Sequence, residues 1–416
     1  TLGDHVDGRI FTGEDVDLDG ETDEVKIWDV SKDFQASCGG VVGLWEVNNS
    51  QDQTVDDISV REAVMTSQNT AFASMASQLD LCAIRDTASD FGVHRADGDE
   101  LLYVPSAILG TNEIAPLTMA AAYAGIANAG VYCSPIAIDR VLVRFTDEEL
   151  TVPQSLCNQS VSPEVSAAMI DAMKGVVSGG TGSAANTNDG TPLAGKTGTT
   201  DDRIHTWMAG FSSEVATATW VGNVVGLTPQ TNKSVNNRAV STIRHAVWKE
   251  IMLEVNKHYE EVQFPTANPR YLDATMLRVP EISGLSTDSA KVQLVTGDLN
   301  VRFVETPVAS AQQVGNVAYT FPAAGESVPR GSIIDVFISS GGQQIMPDVS
   351  GLDLQAAYTT LEVMGFFPTP PQPSQYWMLN LCDPNLPAGS AHSTIPAAGE
   401  AVIVASAVIV QPNACR

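Results

Sequence analysis

The chain has 416 residues, 44% of them hydrophobic, and its 49 acidic against 22 basic side chains leave a formal charge of -27. That length exceeds one typical core and points to two or three domains. The acidic surface repels phosphate backbones and anionic headgroups, which argues against nucleic acid as a partner.

Near the start, Asp15, Asp17 and Asp19 alternate with apolar residues and Gly20 follows. This is the first half of an EF-hand calcium loop, but its closing position holds Lys26 in place of a bidentate Glu. A solvated acidic loop is the plainer reading. Six cysteines (Cys38, Cys82, Cys133, Cys157, Cys382, Cys415) form no CxxC pair and have no His at metal spacing, which argues against zinc. Their even number fits three disulfides made in an oxidising compartment, with buried free thiols as the alternative. Many connectivities are open; the expected one joins Cys38 to Cys82, Cys133 to Cys157 and Cys382 to Cys415.

Ile58 to Leu79 reads as a helix-rich stretch and carries Ser67-Gln68-Asn69. Pro116 to Ala129 and Pro163 to Val177 read as further helices. The small-residue run from Ala115 to Ile138 is broken by Thr118, Asn128 and Ser134 and carries Gly125 and Gly130, so it reads as a packed helix and turn, not a membrane span. From His205 the period shifts to strand: Trp207 to Phe211, a turn at Ser212-Ser213-Glu214, then Val215 to Val221. A hairpin beginning at Lys196-Thr197-Gly198 is the predicted geometry. Pro265, Pro269 and the polar residues between them mark a linker start.

Beyond it lies an internal repeat. Val279-Pro280-Glu281-Ile282-Ser283-Gly284-Leu285 recurs as Met346-Pro347-Asp348-Val349-Ser350-Gly351-Leu352, and Pro322-Ala323-Ala324-Gly325-Glu326 recurs as Pro396-Ala397-Ala398-Gly399-Glu400. Two signatures in the same order mark two copies of one module. Each copy predicts a helix (Ser286 to Thr296; Leu354 to Met364), alternating strands, the Pro-Ala-Ala-Gly-Glu turn and a closing strand (Ile333 to Ile338; Ala401 to Val410). This order is similar to the PASTA domain, which implies muropeptide or cell-wall contact; a rigid spacer without a ligand is the equal alternative.

Lys196-Thr197-Gly198 and Ser67-Gln68-Asn69 are two of the three motifs that active-site serine penicillin-interacting enzymes assemble around an acyl-serine, Ser-x-x-Lys being the third. None of the chain's lysines (Lys26, Lys32, Lys174, Lys196, Lys233, Lys249, Lys257, Lys291) has Ser three positions before it. The phrases around the two motifs extend the likeness. Val60-Arg61-Glu62-Ala63-Val64 with Thr66 to Phe72, Pro105 to Gly110, Ile114 to Leu117, Gly180 to Ala185, Gly195 to Thr200 and Trp220-Val221-Gly222-Asn223 occur in an order that resembles class A penicillin-binding proteins.

The resemblance implies an α+β fold: a penicillin-binding transpeptidase domain with an antiparallel sheet flanked by helices (1–265, truncated at its start) and two small α+β PASTA modules (276–341 and 342–416). It implies D-Ala-D-Ala transpeptidation of peptidoglycan stem peptides through an acyl-serine, binding of β-lactams, and no cofactor or metal. Lys196 is expected to set its ammonium beside the proton-relay Ser67, and Asn69 to offer its amide to a substrate carbonyl. Thr197 and Thr199 would hold a carboxylate, Gly198 would let the ligand approach, and the Thr199 N–H would give half of an oxyanion hole. The family's Ser-x-x-Lys, glycosyltransferase domain and membrane anchor are expected upstream of Thr1, on the extracytoplasmic face, so the chain itself should not acylate.

Three alternatives stand beside this. Gly190 to Thr197 satisfies the phosphate-loop pattern, but that loop needs a helix directly after its lysine, and the residues here lead into a strand. A non-catalytic extracellular wall-binding or scaffold protein would use the PASTA copies alone. A β-lactamase would need a deacylating base, and none is identifiable. His205 reads as a packing or surface group, because the chemistry requires no histidine.

Overall fold

The computed structural model describes residues 1–9, 27–50, 55–146, 148–259, 262–370, 381–404 and 406–415, so the half calcium loop lies outside the described residues. The chain divides into two compact units, Thr1–Thr275 with Pro329–Ser332 and Met276–Val328 with Ile333–Arg416. Among the described residues no helix is long and apolar enough to cross a membrane.

In the first unit, α1 (Val60–Thr66) starts where the Ser59 side chain accepts from the Glu62 N–H. It does not continue into α2 (Asn69–Ser77): Ser67 takes a left-handed conformation (φ 60, ψ 53) and ends it. The single helix-rich stretch expected from sequence is therefore two helices with the Ser-x-Asn triplet at their junction. Next come α3 (Leu81–Asp90), whose N-cap Asp80 accepts from Cys82, and α4 (Pro116–Ala127). Strands β1 (Val131–Cys133) and β2 (Cys157–Gln159) pair antiparallel with Cys133 opposite Cys157. α5 (Pro163–Ser178) has Pro in its first turn, where no N–H partner is lost, and Ser162 as N-cap.

The predicted hairpin is present. β3 (Ala194–Thr199), β4 (Thr206–Phe211) and β5 (Ala216–Val221) form an antiparallel sheet in the order β5-β4-β3, so β3 is an edge. Because side chains alternate along a strand, the sheet has two apolar faces. Phe211 and Ala194 join Ile126 of α4 with Ile170 and Met173 of α5 on one side. Met208 joins Trp248 and Met252 of α6 (Ile243–Val255) on the other. Gly210 makes room for α6: a Cβ there would meet the Trp248 ring at 2.9 Å and the Ala194 carbonyl at 2.6 Å. The Trp248 indole N–H donates to the Thr217 carbonyl at 3.0 Å, satisfying the one polar atom this fully buried side chain brings inside.

All three disulfides are Cys38–Cys82, Cys133–Cys157 and Cys382–Cys415, the expected pairing. Cys38–Cys82 ties a loop to the start of α3 across a separation of 44 residues, and closing a loop of that size restricts the unfolded chain by roughly 3–4 kcal/mol on the chain-entropy account. Replacing both cysteines with alanine is expected to lower the denaturant midpoint of the first unit by a matching amount, read by urea titration of tryptophan fluorescence. An unchanged midpoint would mean the crosslink adds nothing to stability.

In the second unit, the two sequence copies build the same topology. The first has α7 (Thr287–Thr296), β6 (Asn300–Ser310), β7 (Val317–Phe321) and β8 (Ile333–Ile345), with β6 parallel and β7 antiparallel to β8. The second has α8 (Leu354–Val363), β9 (Phe367–Thr369), β10 (Ala391–Ile395), β11 (Ala401–Ile403) and β12 (Ala407–Pro412), with β9 parallel and β10 antiparallel to β12. Backbone hydrogen bonds repeat one for one: Gly284 N–H to Val317 and Val279 N–H to Glu326 in the first, Gly351 N–H to Ala391 and Met346 N–H to Glu400 in the second. Each copy has its own core, around Ile282, Leu294 and Ile334 and around Val349, Leu361 and Val408. The closing strand expected over Ala401 to Val410 is corrected to two pieces. β11 pairs with Gln343–Ile345 at the start of the second copy, as Ser327–Pro329 pairs with Met276–Arg278 in the first, and Ser406 N–H closes a turn onto Ile403 before β12 begins.

Candidate active site

The two triplets meet. Lys196 Nζ donates to Ser67 Oγ at 2.6 Å across 129 positions of sequence, and also reaches the Thr197 carbonyl at 3.2 Å. β3 supplies the lysine; the α1–α2 junction supplies the serine. A left-handed serine is costly for a residue with a Cβ, and such strain persists only where the surroundings over-determine it. Here the backbone is held by Gln68 N–H on the Ala63 carbonyl and by Gln68 itself, which is buried.

The start of α2 is clamped by a pair of asparagines. Asn49 Oδ1 accepts from the Thr70 N–H at 3.1 Å, the Thr70 hydroxyl donates to the Gly8 carbonyl at 2.6 Å, and Asn69 Nδ2 donates to the Asn48 carbonyl at 2.8 Å. An amide NH2 has two donors, so this bond fixes the Asn69 head while the second donor stays available. On β3 the Thr197 and Thr181 hydroxyls lie 2.7 Å apart, and Thr199 Oγ1 accepts from Arg244 Nη1 at 3.1 Å. Gly198 stands opposite Trp207, and a Cβ on it would come within 3.2 Å of the Trp207 Cβ, so cross-strand packing is a second reason for glycine there.

Lys196 keeps some exposure at its edge, but its ammonium is packed closely enough that desolvation, helped by the nearby Arg244 charge, pulls its pKa down to about 8. Arg244 is itself lowered to about 10 by burial and by Arg203, and His245 to about 4 by burial and by Arg244. His205 stacks on Trp220 with ring centroids 5.6 Å apart, a packing role. The phosphate-loop alternative is overturned: the residues after Gly195 form strand β3, not a helix, so their N–H groups serve the sheet ladder. Arg244 is the site residue that the sequence reading did not find. Its only signal was the spacing of His245, Trp248 and Met252, which marks a buried helix stripe starting beside it.

A profile of the penicillin binding protein transpeptidase domain matches residues 24–252, and one of the PASTA domain matches residues 277–340. Among curated relatives, penicillin-binding protein 1A of Aquifex aeolicus is 29% identical over 228 residues, covering 54% of this chain and 30% of that protein. Penicillin-binding protein 1A of Clostridium botulinum is 31% identical over 226 residues, covering 53% and 26%. The chain thus spans less than a third of the length of these relatives. The structure of the penicillin-binding protein PonA1 from Mycobacterium tuberculosis superposes with a TM-score of 0.50 at 22% identity, over 64% of this chain and 66% of that one, a likeness of fold.

Proposed function

Because the chain belongs to the penicillin-binding protein transpeptidase family, we propose that it is the D-Ala-D-Ala transpeptidase portion of a bifunctional peptidoglycan synthase. In this reading it cross-links stem peptides through an acyl-serine and binds β-lactams in the same cleft. The observation that carries the reading is the 2.6 Å hydrogen bond from Lys196 to Ser67. No structural need of a helix junction and an edge strand explains a desolvated lysine aimed at a strained serine.

The geometry supports the following roles. Ser67 passes its hydroxyl proton to the leaving nitrogen of the substrate, and Lys196, as the ammonium, replaces that proton through the bond it already makes. Thr197 and Thr199 offer hydroxyls to a carboxylate, Asn69 offers its second amide hydrogen to a peptide carbonyl, and Gly198 keeps the strand edge low. Nucleophile and base come from a Ser-x-x-Lys segment of the full-length protein, upstream of Thr1, where the glycosyltransferase domain and membrane anchor also belong. The protein then works at the extracytoplasmic face of the membrane, and the two PASTA modules (276–341 and 342–416) contact the wall.

Fluorescent penicillin is the test. The full-length protein is expected to label covalently and the present chain to stay dark; a dark full-length protein would remove the enzyme reading. The absence of any Ser-x-x-Lys within these residues favours one second reading, a non-catalytic wall-binding protein, and that outcome would support it.

The pH dependence has a definite sign. Lys196 is a cation below about 8 and neutral above it, so acylation is expected to fall as pH rises through about 8, read as the second-order rate of penicillin labelling. Its folded value also lies below the unfolded 10.5, so the unfolded chain binds more protons between the two and folding stability gains as pH climbs through that window. A rate that stays flat from pH 7 to 9.5 would contradict the role of the ammonium.

A further inference from the structure

We propose that Thr181 is a positioning residue of the proton relay, a strut whose backbone holds the helix that leads to Ser67 and whose hydroxyl holds the strand that carries Lys196. This deepens the transpeptidase reading and rests on it.

The first observation is a closed ring of contacts. The Thr181 N–H donates to the carbonyl of Met65, two residues before the serine, at 3.2 Å. Its hydroxyl lies 2.7 Å from that of Thr197, the residue after the lysine. With the 2.6 Å bond from Lys196 to Ser67, the circuit runs from Ser67 through Lys196, Thr197, Thr181 and Met65 back to Ser67. In an unbroken helix the Met65 carbonyl would accept from Asn69; the left-handed turn at Ser67 frees it, and Thr181 takes it up.

The second observation is the base on which the strut stands. The turn that carries Thr181 is bonded back onto α5: Gly180 N–H donates to the Gly175 carbonyl and Gly182 N–H to the Val176 carbonyl, each at 3.0 Å. Gly180 lies so close to α1 that a Cβ on it would meet the Met65 carbonyl oxygen at 2.3 Å, and the ion pair of Arg61 with Asp171 pins α1 to α5 at a second point. The hydroxyl bond is a direct side-chain tie from this body to β3 at the level of the site. Stability does not call for it, because Thr181 is exposed and water would satisfy both hydroxyls. What the bond adds is orientation of Thr197, and with it of Lys196, against Ser67. Lys196 is desolvated in that contact, with Arg244 as the charge that acts on it, so a contact that opens lets water reach the ammonium.

The titration of Lys196 in the intact chain tests this without acylation. With isotope-labelled lysine, NMR follows its signal, identified by its loss in Lys196→Arg, and thermal melting controls for folding. Wild type is expected to titrate at about 8. Thr181→Val keeps the backbone bond and the shape but not the hydroxyl, and is expected to titrate higher by roughly 0.5–1 pH unit, toward the ordinary lysine value. Thr181→Ser is expected to restore the wild-type value, Thr197→Val to match Thr181→Val, and the double variant to shift no further, since both changes break one bond. A titration that does not move in folded Thr181→Val and Thr197→Val overturns the proposal, as does a shift that Thr181→Ser leaves in place or a wild-type lysine with the ordinary value. In the full-length protein Thr181→Val is expected to lower the first-order constant of acylation by a penicillin roughly 10–100-fold, with the non-covalent affinity for the drug changed less; an unchanged constant in a protein that labels overturns the proposal too. If Lys196 shifts as expected while full-length wild type does not label at all, the strut stands and the transpeptidase reading falls.

Discussion

Replacing Lys196 with alanine in the full-length protein is expected to slow acylation by penicillin by roughly 10²–10⁴-fold while leaving the melting temperature within a few degrees of wild type. The magnitude follows from removing a positioned proton donor. The small effect on stability follows from the setting, since the ammonium is desolvated, faces other cations and pairs with no carboxylate among the described residues, so its removal relieves as much as it costs. Ser67→Ala is expected to lower the rate on the same scale, and the double variant to be little worse than either single one. Residues that pass one proton act as a unit, and their losses do not add. Additive losses would mean that the 2.6 Å bond between them is not the path of the proton.

The largest expected loss of stability is at Phe211. This side chain is fully buried at the end of β4, packs edge to face on Phe264 with centroids 5.6 Å apart and on Tyr123 at 6.2 Å, and joins β3 to α4 and α5 through Ala194, Ile126 and Ile170. Phe211→Ala removes a ring and leaves a cavity that helices on one side and a sheet on the other cannot collapse to fill, for a cost of about 3–5 kcal/mol. Phe211→Leu keeps most of the volume and is expected to cost less than about 1.5 kcal/mol. Urea denaturation of the first unit reads both; a loss under about 1 kcal/mol for the alanine variant would mean the sheet is not anchored there.

Much of this was legible in the residues. The hairpin from Ala194 to Val221 announced itself by alternation and by a turn at Ser212, and α4 and α5 by apolar runs with proline at their starts. The two C-terminal modules were legible because a repeated sequence must repeat its hydrogen bonds. What the pattern did not reveal was set by tertiary packing. The break at Ser67 has no local cause, since neither glycine nor proline stands there; the helix stops because Ser67 is held left-handed beside β3. α6 lacks a side-chain N-cap and exposes apolar Val247 and Ile251, so its amphipathic signal is weak, and Arg244 passed unnoticed with it. The division of β11 from β12 reflects pairing with β8, a partner far away in sequence.

The most direct measurement is a crystal structure of the full-length protein acylated by a penicillin. The drug's carboxylate is expected against Thr197 and Thr199, with Lys196 Nζ still bonded to Ser67 Oγ beside the opened ring. An acyl group attached elsewhere, or a lysine swung away from that serine, would contradict it.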